Sequence, residues 1–169
     1  MPVRKYPRLK NYDYSKGGLY FITICVQNRK NVLSKIITNN DNPVGWGLAP
    51  TAKIQLSRYG EIVEEELMQI NNRYSCAVVD NYVIMPNHIH LILHMNGETV
   101  EASLHPTVMD IICALKSLVT RKCKEVGYEG KLFQRSFFDR VIRNREEYTE
   151  ICNYIFLNPQ NWQKDELYN

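Results

Sequence analysis

CAVVDNYVIMPNHIHLILH, residues 76 to 94, decides how the fold is read. The runs 76–85 and 88–94 are rich in Val, Ile and Leu and read as strands. Pro86-Asn87 between them is turn chemistry. Two strands joined by so short a link predict an antiparallel hairpin. Side chains alternate along a strand, so His88 and His90 point the same way, with Cα atoms about 7 Å apart. That spacing lets two imidazoles converge on one cation. His94 shares the face but stands about 13 Å from His90 by the same rise. The fourth histidine is His105. The pair alone leaves two readings open: half-exposed strand residues, or metal ligands. A closed structural zinc site would need further His or Cys ligands nearby.

Outward from the hairpin the chain alternates in type. GLYFITICVQN, 18–28, is β-branched and aromatic and reads as a strand after a Gly17-Gly18 turn. Residues 38–55, rich in Gly, Pro and Asn, read as a long loop. In 56–72, Ile62, Leu67 and Ile70, with Val63 and Leu56, recur at helical spacing. A second helix is expected over 106–125, with Pro106 in its first turn and Ile111, Leu115, Leu118 and Val119 on its apolar face. Residues 131–144 read as a strand or strand-like loop. A last helix spans 145–158 and stops before Pro159. The order is strand, helix, strand, strand, helix, strand, helix. Its first six members match an α+β, ferredoxin-like split βαβ sandwich: a four-stranded antiparallel sheet with helices on one face. The C-terminal helix is extra.

The 169 residues suggest a single domain over 1–169. No apolar run approaches the roughly 20 residues of a membrane span. The five cysteines are scattered without a CxxC, which suits reduced thiols of a cytoplasmic protein. Charge is distributed in blocks. Residues 1–40 hold eight Lys/Arg against one acid, 41–115 three against nine, 116–145 nine against three, and 146–169 one against five. Two basic blocks that merged in the fold would suit a polyanion. Solvation of an ordinary surface explains them equally well.

In the last helix, Tyr154 and Asn158 lie four residues apart and so share a face. Were that face turned to the histidines, Asn158 would offer an oxygen to a metal and Tyr154 would sit beside an ion-bound phosphate. Core packing of Tyr154 and a helix-terminal role for Asn158 are the alternatives. NYVIMPNHIHLIL (81–93), GGLYFIT (17–23), LFQRSFFDRVIRN (132–144) and NYIFLNPQNW (153–162) together resemble the REP-associated tyrosine transposases. These are relatives of small single-tyrosine insertion-sequence transposases, in the HUH (His-hydrophobe-His) endonuclease superfamily. The resemblance runs from about residue 15 to 162. Its specific part is HxH in the MPNH context, followed 64 residues later by YIxxNP.

The resemblance implies a metal-dependent single-stranded DNA endonuclease and strand transferase. His88, His90 and Asn158 fall on its metal-ligand positions, and Tyr154 on its catalytic tyrosine. Tyr154 would attack a phosphodiester to give a 5′-phosphotyrosine, with Mg2+ or Mn2+ bound. Mixed nitrogen and oxygen ligands suit manganese. Tyr148 is the second choice of nucleophile. The expected partner is single-stranded DNA with a hairpin or repeat sequence, bound by a monomer or homodimer. Lys116, Arg121, Lys122, Arg135, Arg140 and Arg143 are candidate phosphate contacts, and Phe137 and Phe138 candidate stacking residues. Two other readings differ in kind. A non-catalytic or domesticated nucleic-acid-binding module would bind without cutting. A metallohydrolase would use water and form no adduct.

Overall fold

The structure, a computed structural model, describes residues 17–38, 52–96, 106–165 and 167. Four strands form one antiparallel sheet in the order β4-β5-β1-β6: β1 (Gly18–Cys25), β4 (Ala77–Ile84), β5 (His88–Met95) and β6 (Phe138–Ile142). Numbered within the split βαβ, this order is the reverse of 4-1-3-2, which is the ferredoxin-like arrangement. The mixed α+β expectation therefore holds.

Strand alternation gives the sheet two differently used faces. Tyr20, Ile22 and Ile24 of β1 and Ile89, Leu91 and Leu93 of β5 face one core. That core is closed by α1 (Arg58–Met68), the short α2 (Ile70–Arg73) and α3 (Val108–Glu125), through Val63, Leu67, Ile70, Ile111, Ile112, Leu115 and Val119. Phe21 and Ile92 face the other way. There Ile151 and Ile155 of α4 (Arg145–Leu157), with Val83, Met85, Ile142 and Trp162, build a second core. The extra helix therefore covers the sheet face that α1 and α3 leave open.

Several boundaries differ from expectation, each for a local reason. Residues 38 and 52–55 are not loop: β2 (Ser34–Thr38) and β3 (Ala52–Leu56) pair as a separate two-stranded ribbon, with Ile36 opposite Ile54. Both isoleucines pack against the second core, which gives the ribbon its apolar anchor. Residues 39–51 of the expected loop lie outside the described residues. The first helix begins at Arg58, because the Ser57 side chain accepts from the amides of Tyr59 and Gly60 as N-cap. It breaks at Gln69 before α2. Pro106 stands just ahead of α3 rather than in its first turn. Thr107 is the N-cap, in a reciprocal capping box with Asp110. Of 131–144, only Phe138–Ile142 forms a strand, joined by an isolated bridge from Val26 to Phe133. Between them the Lys116 ammonium donates to the carbonyls of Gln134 (2.8 Å), Arg135 (2.9 Å) and Ser136 (3.4 Å).

Candidate metal and tyrosine site

On β5, His88, His90 and Ile92 take the face covered by α4. His88 is fully buried and His90 is 3% exposed, so neither is a half-exposed strand residue. Their rings lie 4.5 Å apart between centroids. Cross-strand register sets Thr23 opposite His90, and Thr23 Oγ1 stands 2.8 Å from His90 Nδ1. Phe21, two residues along β1, stacks on the His90 ring at 5.2 Å. Burial, reinforced by the charge of Arg29, pushes His88 down to about 3. Burial, with His88 adding, also holds His90 well below its ordinary range. Both imidazoles are therefore neutral at pH 7, the form that ligates metals.

Asp165 joins them. Its carboxylate and the ring nitrogens of His88 and His90 all lie within 4.8 Å of one another. Asn158, 2% exposed, donates from Nδ2 to Asp165 Oδ2 at 2.9 Å. Its Oδ1 is buried with no hydrogen-bond partner among the described residues, as is His88 Nε2. Buried polar atoms are rarely left unpaired. Two neutral imidazoles, a carboxylate and an orphaned amide oxygen fit a divalent cation. Sequence reasoning misses Asp165, which lies in an acidic, irregular C-terminal stretch with no periodicity to mark it.

Tyr154 reaches this cluster from α4. Its hydroxyl is 3.3 Å from His90 Nε2, and its ring meets the rings of His90 (5.2 Å) and Phe21 (6.0 Å) edge-on. Yet 38% of the residue is exposed, unlike the two buried histidines. Tyr148 faces elsewhere. Its hydroxyl donates to Asp80 Oδ2 at 2.6 Å, and that bond pushes the phenol pKa up and keeps it protonated. A β-bulge between Val79 and Asn81 presents Asp80 to it. Trp162 closes the far side, 5.8 Å from the His88 ring. His94 is exposed on the same strand, and His105 lies outside the described residues.

The six basic candidates fall into two groups. Lys116 holds the 134–136 carbonyls, Lys122 pairs with the buried Glu66 at 2.7 Å, and Arg140 pairs with Glu147 at 3.0 Å. Arg121, Arg135 and Arg143 are exposed. The two phenylalanines also divide. Phe137 is buried in the first core, whereas Phe138 is 50% exposed. Phe138 pairs with Thr23 across the sheet and so shares the face of His90.

No protein-family model matches the chain. It is 28% identical over 180 aligned positions to an uncharacterized protein of Haemophilus influenzae, covering 98% of this chain and 93% of that one. It is 25% identical to another protein of the same organism, named "Putative REP-associated tyrosine transposase", over 89% of this chain and 76% of that one. Among solved structures, it is similar to a REP-associated tyrosine transposase bound to a REP hairpin. The TM-score is 0.62 at 17% identity, over 92% of this chain and 74% of the other. No helix among the described residues is long and apolar enough to cross a membrane.

Proposed function

We propose that this chain, similar in sequence and fold to the REP-associated tyrosine transposases, is a DNA-nicking and joining enzyme. Its substrate is single-stranded DNA beside a hairpin. The observation that carries the reading is the meeting of Tyr154 with the buried histidine pair, its hydroxyl 3.3 Å from His90 Nε2. A nucleophile poised over neutral, convergent metal ligands suits phosphoryl transfer better than simple binding.

His88, His90, Asp165 and Asn158 would hold a divalent ion, Mg2+ or Mn2+. Such an ion offsets the charge gathering on a phosphate in the transition state. The chain's own residues do the rest. The Tyr154 oxygen attacks phosphorus and loses its proton, and the bond to the 3′ oxygen breaks. The leaving oxygen takes a proton, giving a free 3′-hydroxyl and a 5′-phosphotyrosine. Attack by another 3′-hydroxyl reverses these steps and restores the phenol, so joining needs no nucleotide energy source. Phe21 and His90 hold the Tyr154 ring and limit its search for the attacking position. Phe138, exposed on the same face, would stack on an unpaired base. The helix that carries Tyr154 lies on its own chain's sheet, so one copy supplies the whole set. A monomer and a homodimer both satisfy this reading, which takes the chain to work as one domain in the cytoplasm.

The test is incubation with labelled single-stranded hairpin oligonucleotides from flanking DNA, with Mn2+, read on a denaturing gel. A covalent adduct carrying the 5′-phosphate side of the cut is expected. It disappears in Tyr154→Phe, with hairpin binding kept, and in His88→Ala/His90→Ala. Cleavage that persists in Tyr154→Phe without an adduct would replace this reading with a water-activating hydrolase.

A further inference from the structure

The turn between β4 and β5 is buried, which is unusual, since turns commonly run over the surface. Met85 and Asn87 are both fully buried. A buried turn must find internal partners for its polar groups. The Met85 amide donates to the His88 carbonyl at 2.9 Å. Pro86 has no amide hydrogen, and its carbonyl accepts from Val32 and Leu33, each at 3.0 Å. The Asn87 carbonyl accepts from Val26 at 2.9 Å.

The Asn87 side chain is equally committed. Its Nδ2 donates to the Leu167 carbonyl at 2.8 Å and the Arg29 carbonyl at 3.4 Å. Two carbonyls can only accept, so they fix which end of the amide is nitrogen. The oxygen then faces His88 Nδ1 at 2.8 Å. An amide oxygen cannot donate, so Nδ1 must carry the ring proton. Nε2 is left bare and buried, with no partner among the described residues, on a ring that groups with His90 and Asp165. We propose that Asn87 is a positioning residue: it selects the His88 tautomer and aims Nε2 at the cation. The proposal rests on the metal-site reading and deepens it. The same amide ties down the Leu167 carbonyl, two residues beyond Asp165. One side chain thus orients one ligand and tethers the segment that carries another.

The positioning and tethering roles separate by substitution. Asn87→Asp keeps an oxygen for Nδ1–H but loses both Nδ2 bonds. Asn87→Leu loses all three. Mn2+ binding, measured by calorimetry on the full chain, should weaken about 10- to 100-fold in Asn87→Leu. In Asn87→Asp it should stay within a few-fold of the wild type. Equal losses in the two variants would overturn the proposal and leave Asn87 a tether. The second measurement needs neither metal nor variant. Long-range 1H–15N spectra of the metal-free wild type should show His88 protonated on Nδ1, and the Nε2-protonated tautomer would overturn the proposal. Absent Mn2+ binding with the Nδ1 tautomer present would sink the metal reading alone.

Discussion

At the scale of residues, the site depends on side chains whose chemistry is set by burial. His88 shows this through acid stability. Its ordinary pKa is 6.5, and its folded value is about 3. Between these values the unfolded chain binds a proton that the folded chain refuses, so stability falls as pH drops from 6.5 toward 3. Above 6.5 the contribution is fully present. The loss of urea midpoint from about pH 7 to about pH 4 should therefore be shallower in His88→Gln than in the wild type. An identical slope would show that other groups set the acid limit. The adjacent phenylalanines give a second contrast. Phe138→Ala should weaken single-strand binding by about 1–3 kcal/mol, the usual worth of one stacked base, with little change in melting temperature. Phe137→Ala removes a core ring and should cost about 3–5 kcal/mol of stability. Binding titrations beside thermal melts separate the two.

Among the elements, the first helix is positioned by one glycine. A Cβ at Gly60 would overlap the Leu33 carbonyl oxygen. That carbonyl already accepts from the Ser57 amide at 2.9 Å, and Ser57 Oγ donates to the Val32 carbonyl at 2.6 Å. Gly→Ala inside a helix ordinarily stabilises, but here backbone must move. Gly60→Ala should destabilise by about 1–3 kcal/mol, as overpacking does, read from urea unfolding. Stabilisation would mean the strand-to-helix junction yields freely. The same scale shows what the sequence reveals and what it hides. Runs of β-branched and apolar residues make β1, β4 and β5 legible, helical spacing marks α3, and Pro159 marks the end of α4. Alternation alone puts His88 and His90 on one face. The β2–β3 ribbon is hidden, because five-residue strands flanking a Gly- and Pro-rich stretch carry little periodic signal. Asp165 is hidden because its place follows from where the chain returns after α4, which no local pattern encodes. Asn87 reads as a turn former, a role that says nothing about its amide being buried against an imidazole.

For the whole molecule, the alternating charge blocks become a question of which cations remain uncommitted. Lys116 and Lys122 serve the fold, and burial lowers the pKa of the first. Arg121, Arg135 and Arg143 are exposed. Replacing these three by Gln should make log K for hairpin DNA less steep against log salt. The slope should fall by about 2 to 2.7, since each phosphate neutralised by a cation adds roughly 0.7–0.9. An unchanged slope would place the phosphate path elsewhere. The sheet beneath all this is a partition. One face supports the larger core and the other the smaller core with the candidate site, and β5 writes both in alternate letters: Ile89, Leu91 and Leu93 for one, His88, His90 and Ile92 for the other. Positions of the candidate site and of the larger core therefore alternate along this one strand. The strand tolerates changes of spelling far better than a frame error. A single residue inserted before His88, if it shifted the pairing by one, would turn the histidines into the core and the leucines into the site, forfeiting both properties in one step.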